Sequence, residues 1–170
     1  MKYRNDDMEY LGKDMVKQMK KKSFFPALLM AGALFLSGCG GSVKTIDADA
    51  LAKTLATEIT YDDTLQELSD DEVSMYIDLP EGVDSVMYMG SGSTAEEVGV
   101  FTAEDADTAK SAMENIQSFL DDQADSFRDY TPEETKRIGN AVLEQKGPYV
   151  ILCVSGDSEQ AKEIIEKAFK

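Results

Sequence analysis

The sequence predicts an α+β domain. Its centre is a four-stranded antiparallel sheet built from two hairpins, with helices packed mainly on one face, in the order α-α-β-β-α-α-β-β-α. Three observations predict it. Helix starts are marked by capping side chains at regular intervals. Four short apolar runs between them read as strands. Both pairs of runs are joined by links too short for a crossover helix, Gly90–Thr94 and Lys146–Pro148, so each pair closes as an antiparallel hairpin.

In chain order, Asp47 caps a helix reaching about Ile59, with Leu51, Leu55 and Ile59 on one stripe. Ile46 and Leu51 stand where a hydrophobic staple places them. Ser69-Asp70-Asp71-Glu72 is a capping box with Leu68 and Val73 as its staple; this helix ends near Ile77, before Pro80. Ser85 to Met89 and Glu97 to Thr102 form the first hairpin. Thr102 or Glu104 opens the longest helix, on which Ala109, Met113, Ile116, Leu120, Ala124 and Phe127 recur at helical spacing. Thr131-Pro132-Glu133-Glu134 is a further capping box, with Pro at the first helical position, and its helix ends at Gly139-Asn140. Asn140 to Gln145 and Tyr149 to Val154 form the second hairpin. Asp157 with Gln160 opens the last helix, whose apolar stripe is Ala161, Ile164, Ile165, Ala168 and Phe169.

The chain has 170 residues, 33 acidic and 17 basic, for a net charge of −16, and no His. Without His there is no Ser–His or Cys–His nucleophile pair and no His metal ligand. The acidity excludes nucleic acid as a partner, because that affinity comes from Lys and Arg at phosphates. The N-terminal part reads as an address. Lys20-Lys21-Lys22 precedes an apolar run from Phe24 to Leu36, then Leu36-Ser37-Gly38-Cys39 and Gly40-Gly41-Ser42. Basic, apolar and small-residue parts in that order form an export signal. The apolar run has about 13 residues, short of the roughly 20 a membrane span needs. Leu-Ser-Gly-Cys resembles the lipobox of bacterial lipoproteins, which makes Cys39 the lipidated first residue of the mature chain.

The expected organisation is therefore a signal peptide at 19–38, a lipidated tether at 39–45 and one domain at 46–170. Residues 1–18 fit poorly: they carry Asp6, Asp7, Glu9 and Asp14 ahead of an export signal, and Met15 or Met19 is the expected start. From Cys39 onward the chain holds 29 acidic and 10 basic side chains, a net −19. Such a domain is a well-solvated module held off an anionic membrane by its anchor. Lipidation of Cys39 leaves Cys153 alone, in the most apolar run of the mature chain, where it reads as a buried core thiol.

Candidate sites are few. Gly90-Ser91-Gly92-Ser93-Thr94-Ala95 imitates a dinucleotide fingerprint, but Val98, Val100 and Phe101 follow at once and leave no room for the helix that binds pyrophosphate. Met87 and Met89 put two thioethers on one strand face, which suits Cu(I) only with further ligands. The acid pairs Asp47/Asp49, Asp70–Glu72 and Asp105/Asp107 lack the spacing of an EF-hand loop and fall in helix first turns, where the dipole favours them. No Ser-x-x-Lys or Gly-x-Ser-x-Gly motif is present.

Thr94–Phe101, then a long amphipathic helix, then Tyr130-Thr131-Pro132-Glu133-Glu134, then Lys146–Ile151 resembles the domain of unknown function 4358, a family of small lipoproteins of Firmicutes, mostly clostridial. The resemblance runs through nearly all of residues 46–170. It implies a Gram-positive surface lipoprotein with one α+β domain and carries no catalytic residue across. Tyr130, Pro132 and Gly147 read as fold-determining. Tyr130 is expected to bury its ring at a helix–helix corner, and Gly147 to permit a tight turn. Function is expected in the Gly90–Glu97 loop, where flexibility meets Ser91, Ser93, Glu96 and Glu97. The expectation is a non-enzymatic lipoprotein on the extracytoplasmic face of the cell membrane, without cofactor, binding an envelope protein, peptide or wall component. The alternatives are cation or metal binding through surface acids or Met87 and Met89, and an envelope hydrolase using a carboxylate pair.

Overall fold

The structure, a computed structural model, describes residues 43–170. The extension 1–18, the signal segment 19–38 and Cys39 lie outside the described residues, as does the tether before Val43. Ten elements follow one another: α1 (Ala48–Glu58), β1 (Gln66–Glu67), α2 (Asp70–Tyr76), β2 (Val83–Met89), β3 (Glu97–Ala103), α3 (Ala106–Phe127), α4 (Pro132–Gly139), β4 (Val142–Lys146), β5 (Tyr149–Val154) and α5 (Ser158–Ala168). Every strand pairing is antiparallel, in the spatial order β1-β2-β3-β5-β4. The class is α+β and both hairpins form. They join through β3 and β5, in a register that sets Val98 opposite Cys153 and Phe101 opposite Val150.

The sheet has five strands rather than four. β1 has only two residues, both polar and exposed, so no apolar run announces it. It is held from outside: Gln66 pairs with Met89, Glu67 with Tyr88, and the Tyr88 hydroxyl donates to Glu67 Oε2 at 2.9 Å.

Helices cover both faces of the sheet, not mainly one. Met87, Phe101, Val150, Leu152 and Val154 pack with Val73 of α2 and Ile77 just after it, Ala109, Ile116 and Leu120 of α3, and Ile138 of α4. On the other face Val98, Val100, Ile151 and Cys153 pack with Leu51 and Leu55 of α1 and with Ala161 and Ile165 of α5. The physical reason is visible in β5. All six of its residues are buried, and a strand enclosed on both faces is apolar throughout instead of alternating. Cys153 is the buried core thiol expected, 3.6 Å from the Tyr61 hydroxyl, and burial pushes its pKa up.

Local chemistry explains most boundaries. Asp47 accepts from Ala50 N–H at 3.0 Å and Asp157 from Gln160 N–H at 2.9 Å. In the Ser69 box, both the Ser69 N–H and its hydroxyl donate to Glu72 Oε2, at 2.8 and 2.7 Å, and these bonds lower the Glu72 pKa. α3 starts later than expected: Thr102 and Ala103 stay in β3, and Asp105 becomes the cap, accepting from Thr108 N–H at 2.7 Å.

α4 departs from its motif. Pro132 occupies the first helical position, but the Thr131 side chain makes no capping bond, and the Glu134 carboxylate turns away to accept from Ala95 N–H at 2.8 Å. Tyr130 is 89 % exposed and does not bury its ring. Phe127 packs against the core at this corner instead, and its carbonyl accepts from the N–H of both Tyr130 and Thr131 as the chain turns. Gly147 meets its expectation. Its φ is +60° in the β4–β5 turn, and a Cβ there would stand 2.8 Å from the Val43 side chain.

Candidate functional site

The described surface carries few large exposed apolar side chains, and two of them are neighbours. Met75 is 74 % and Tyr76 51 % exposed. Both lie in the last turn of α2, between the buried Val73 and the buried cap residue Ile77, and are turned outward. They form one wall of a groove of about 410 Å³. Phe119, Gln123 and Phe127 on the second half of α3 also line it, as do Met89–Gly92 and Thr94. Tyr76 and Phe119 meet edge to face, with ring centroids 6.3 Å apart.

Beneath this groove lies a polar pair. Glu97, the first residue of β3, sits opposite Met89 and Val154 and is fully buried. Gln123 Nε2 donates to Glu97 Oε2 at 3.4 Å, while Glu97 Oε1 and Gln123 Oε1 are buried without a partner. Burial pushes the Glu97 carboxyl up to about 8, and the Gln123 bond offsets little of that. At neutral pH the carboxyl therefore holds its proton. A protonated carboxyl leaves no buried negative charge there, and it carries an O–H that can donate.

The segment just before β3 is held by an ion network. Glu96 is 1 % exposed; it accepts from the N–H groups of Asp62 and Asp63 at 3.0 and 2.8 Å and from the Thr94 hydroxyl at 3.2 Å. Its countercharge is Arg137 of α4, whose guanidinium also pairs with Asp62 at 2.6 Å and with Glu134 at 3.5 Å. Burial alone would lower the Arg137 pKa; the Asp62 bond and the charges of Glu96, Glu134 and Asp62 outweigh it and keep the guanidinium firmly charged.

The Gly90–Glu97 loop is thus different from its expected form. Ser91 and Ser93 are exposed, as a binding loop requires. Glu96 and Glu97 are not: one neutralises Arg137 and the other faces Gln123. The loop is also tied down. The Ser91 N–H and hydroxyl both donate to Asp63 Oδ2, at 2.7 and 2.6 Å, which holds the Asp63 carboxyl below the usual carboxylate range. β3 follows the loop with no helix between, which leaves no dinucleotide site there.

Met87 is fully buried in the core, and only Met89 reaches the groove. Among the described residues, no three His, Cys, Asp or Glu side chains are grouped so as to hold a metal ion. No described helix is long and apolar enough to cross a membrane. Sequence reasoning missed Met75, Tyr76 and Gln123. For the first two a signal existed, because the Val73/Ile77 stripe leaves them unpartnered; for Gln123 none did, since it is one polar residue of an amphipathic helix.

The family model described as Domain of unknown function (DUF4358) matches residues 62–155, more than half of the chain. The match takes in the sheet, α2, α3 and α4, with the groove; α1 and α5 lie outside it. No curated protein matches the chain, and no solved structure does.

Proposed function

The chain belongs to the DUF4358 family, and from that premise we propose that it is a non-enzymatic binding module, anchored by a lipid on Cys39 to the extracytoplasmic face of the cell membrane. The lipobox-like Leu36-Ser37-Gly38-Cys39 supports the anchor. One observation carries the binding role: Met75 and Tyr76 hold apolar side chains in solvent beside a groove that Gln123 lines, with the fully buried Glu97 behind that amide. A Met and aromatic wall over a few polar groups suits an apolar side chain of a protein or peptide partner. Exposed apolar area of this kind adds nothing to folding, whereas removing it from water favours association.

The test is photocrosslinking of the full lipoprotein in its own host's cells. A photoreactive residue replaces Tyr76 in one strain and the exposed Lys162 of α5 in another. A discrete adduct from position 76 that is absent from position 162, and lost when Met75 is changed to Ser, is the expected result. Equal labelling from both positions rejects the groove. A Cys39→Ala chain released from the membrane is expected for the anchor; retention of a processed chain rejects it.

A further inference from the structure

The sheet is open along most of β2. β1 pairs only with Tyr88 and Met89, and one more bond runs from Leu68 N–H to the Met87 carbonyl at 2.9 Å. Beyond that bond the chain leaves for α2. Backbone groups alternate sides along a strand, so the N–H and C=O of Ser85 and Val83 point the same way as the Met87 carbonyl. Among the described residues no strand meets them there. The open edge borders a groove of about 690 Å³ between β2, α2 and the Asp78–Pro80 link. Asp49, Asp70, Asp78, Glu81 and Asp84 line it, with no Lys or Arg.

We propose that this edge receives an extended, basic segment of a partner polypeptide, which adds a strand beside β2 and sets its Lys or Arg side chains against these carboxylates. Two properties select that occupant. The unpaired backbone groups at Val83 and Ser85 are matched by another extended backbone. The five lining carboxylates oppose an acidic strand, including the edge of a second copy of this chain, whose net charge is −16. The surface is separate from the Met75–Tyr76 groove and does not depend on it.

The test uses the full lipoprotein in detergent micelles and a fluorescent nine-residue peptide alternating Lys and Val, read by anisotropy. The controls are the Glu–Val counterpart and a Lys–Val peptide N-methylated at alternate residues on its bonding edge. Binding of the Lys–Val peptide is expected to weaken at least tenfold when salt rises from about 0.05 to 0.3 M. It is also expected to weaken at least tenfold in an Asp78→Asn, Glu81→Gln, Asp84→Asn variant, and to be lost on N-methylation. Ser85→Pro removes an outward N–H and is expected to give the same loss without unfolding, since Pro is tolerated on edge strands; the N-methylated peptide carries this arm if that variant does not fold. A variant with Met75→Ser and Tyr76→Ala is expected to bind the peptide unchanged. The proposal is overturned if the N-methylated peptide binds as well as the parent, if the Glu–Val peptide binds equally, if neither peptide binds, or if the Met75/Tyr76 variant loses binding.

Discussion

The two faces of the sheet are built from the same strands and differ in what they bury. Under α1 and α5 the enclosed groups are Leu51, Leu55, Val98, Val100, Ile151 and Ile165, with Cys153 among them. The phenols there are partnered: Tyr61 donates to the Leu55 carbonyl at 3.1 Å, and the Tyr149 hydroxyl accepts from Ile46 N–H at 3.4 Å. Under α3 the same sheet holds Glu97, whose carboxyl has a 3.4 Å amide as its hydrogen-bond partner among the described residues, and at the adjoining end it holds Glu96 and Glu134 around Arg137. The apolar face lowers free energy by burial alone. The other face accepts a desolvation cost that folding does not need. It is also on the α3 side that exposed Met75 and Tyr76 stand.

The largest way to break the contrast is Arg137→Met. Glu96 and Glu134 would keep their buried positions without a countercharge. Removing one partner from a buried ion pair costs about 3–5 kcal/mol, and chemical denaturation should show a loss of that size. A loss below about 1 kcal/mol would mean that the network is solvated and not structural.

Glu97→Gln comes next and concerns pH. The carboxyl ionises near 4.5 when free and near 8 when folded. Between those values the folded chain holds a proton that the unfolded chain has released, so the contribution of Glu97 to stability is present below about 4.5 and falls as pH rises, levelling above about 8. Each pKa unit corresponds to about 1.4 kcal/mol, so the fall amounts to a few kcal/mol. In Glu97→Gln that part of the slope should vanish, and the variant should gain on the parent from pH 5 to pH 8 in thermal melts. Parallel curves for the two proteins would show that Glu97 reaches water.

Gly99→Ala has a smaller effect and tests packing on the same face. Its Cβ would stand 2.6 Å from Phe101 Cε2, a ring that is fully buried. Overpacking of this kind costs about 1–3 kcal/mol. Cys153→Ala on the opposite face should cost about 1 kcal/mol, by leaving a small void, and should leave the pH profile unchanged. Denaturant midpoints for the pair separate crowding from cavity formation.

Much of the fold was legible because its determinants are local. Asp47, Ser69 and Asp157 cap the helices they were expected to cap, and Tyr149–Val154 is a strand with the expected bounds. β1 was not legible, since its two polar residues are a strand only because Tyr88 and Met89 lie beside them. The second helical layer was written in the unbroken apolar run of β5, which alternation cannot describe. The site was barely legible. Ser91 lines the groove and Ser93 is exposed beside it in the chain, but Glu96 and Glu97 read as loop acids, and their pairing with Arg137 and Gln123 spans 41 and 26 residues of chain.

By itself the sequence determined the α+β class, the hairpins and the caps at Asp47, Ser69 and Asp157, because each depends on residues within a few positions of one another. Only the tertiary structure decided which acids are solvated and which are buried, which edge of the sheet stays open, and that Met75 and Tyr76 face a groove. The physical reason is that burial and charge pairing are properties of what surrounds a side chain. Glu96, Glu97 and Glu134 acquire their surroundings only when α3 and α4 fold back over the start of β3.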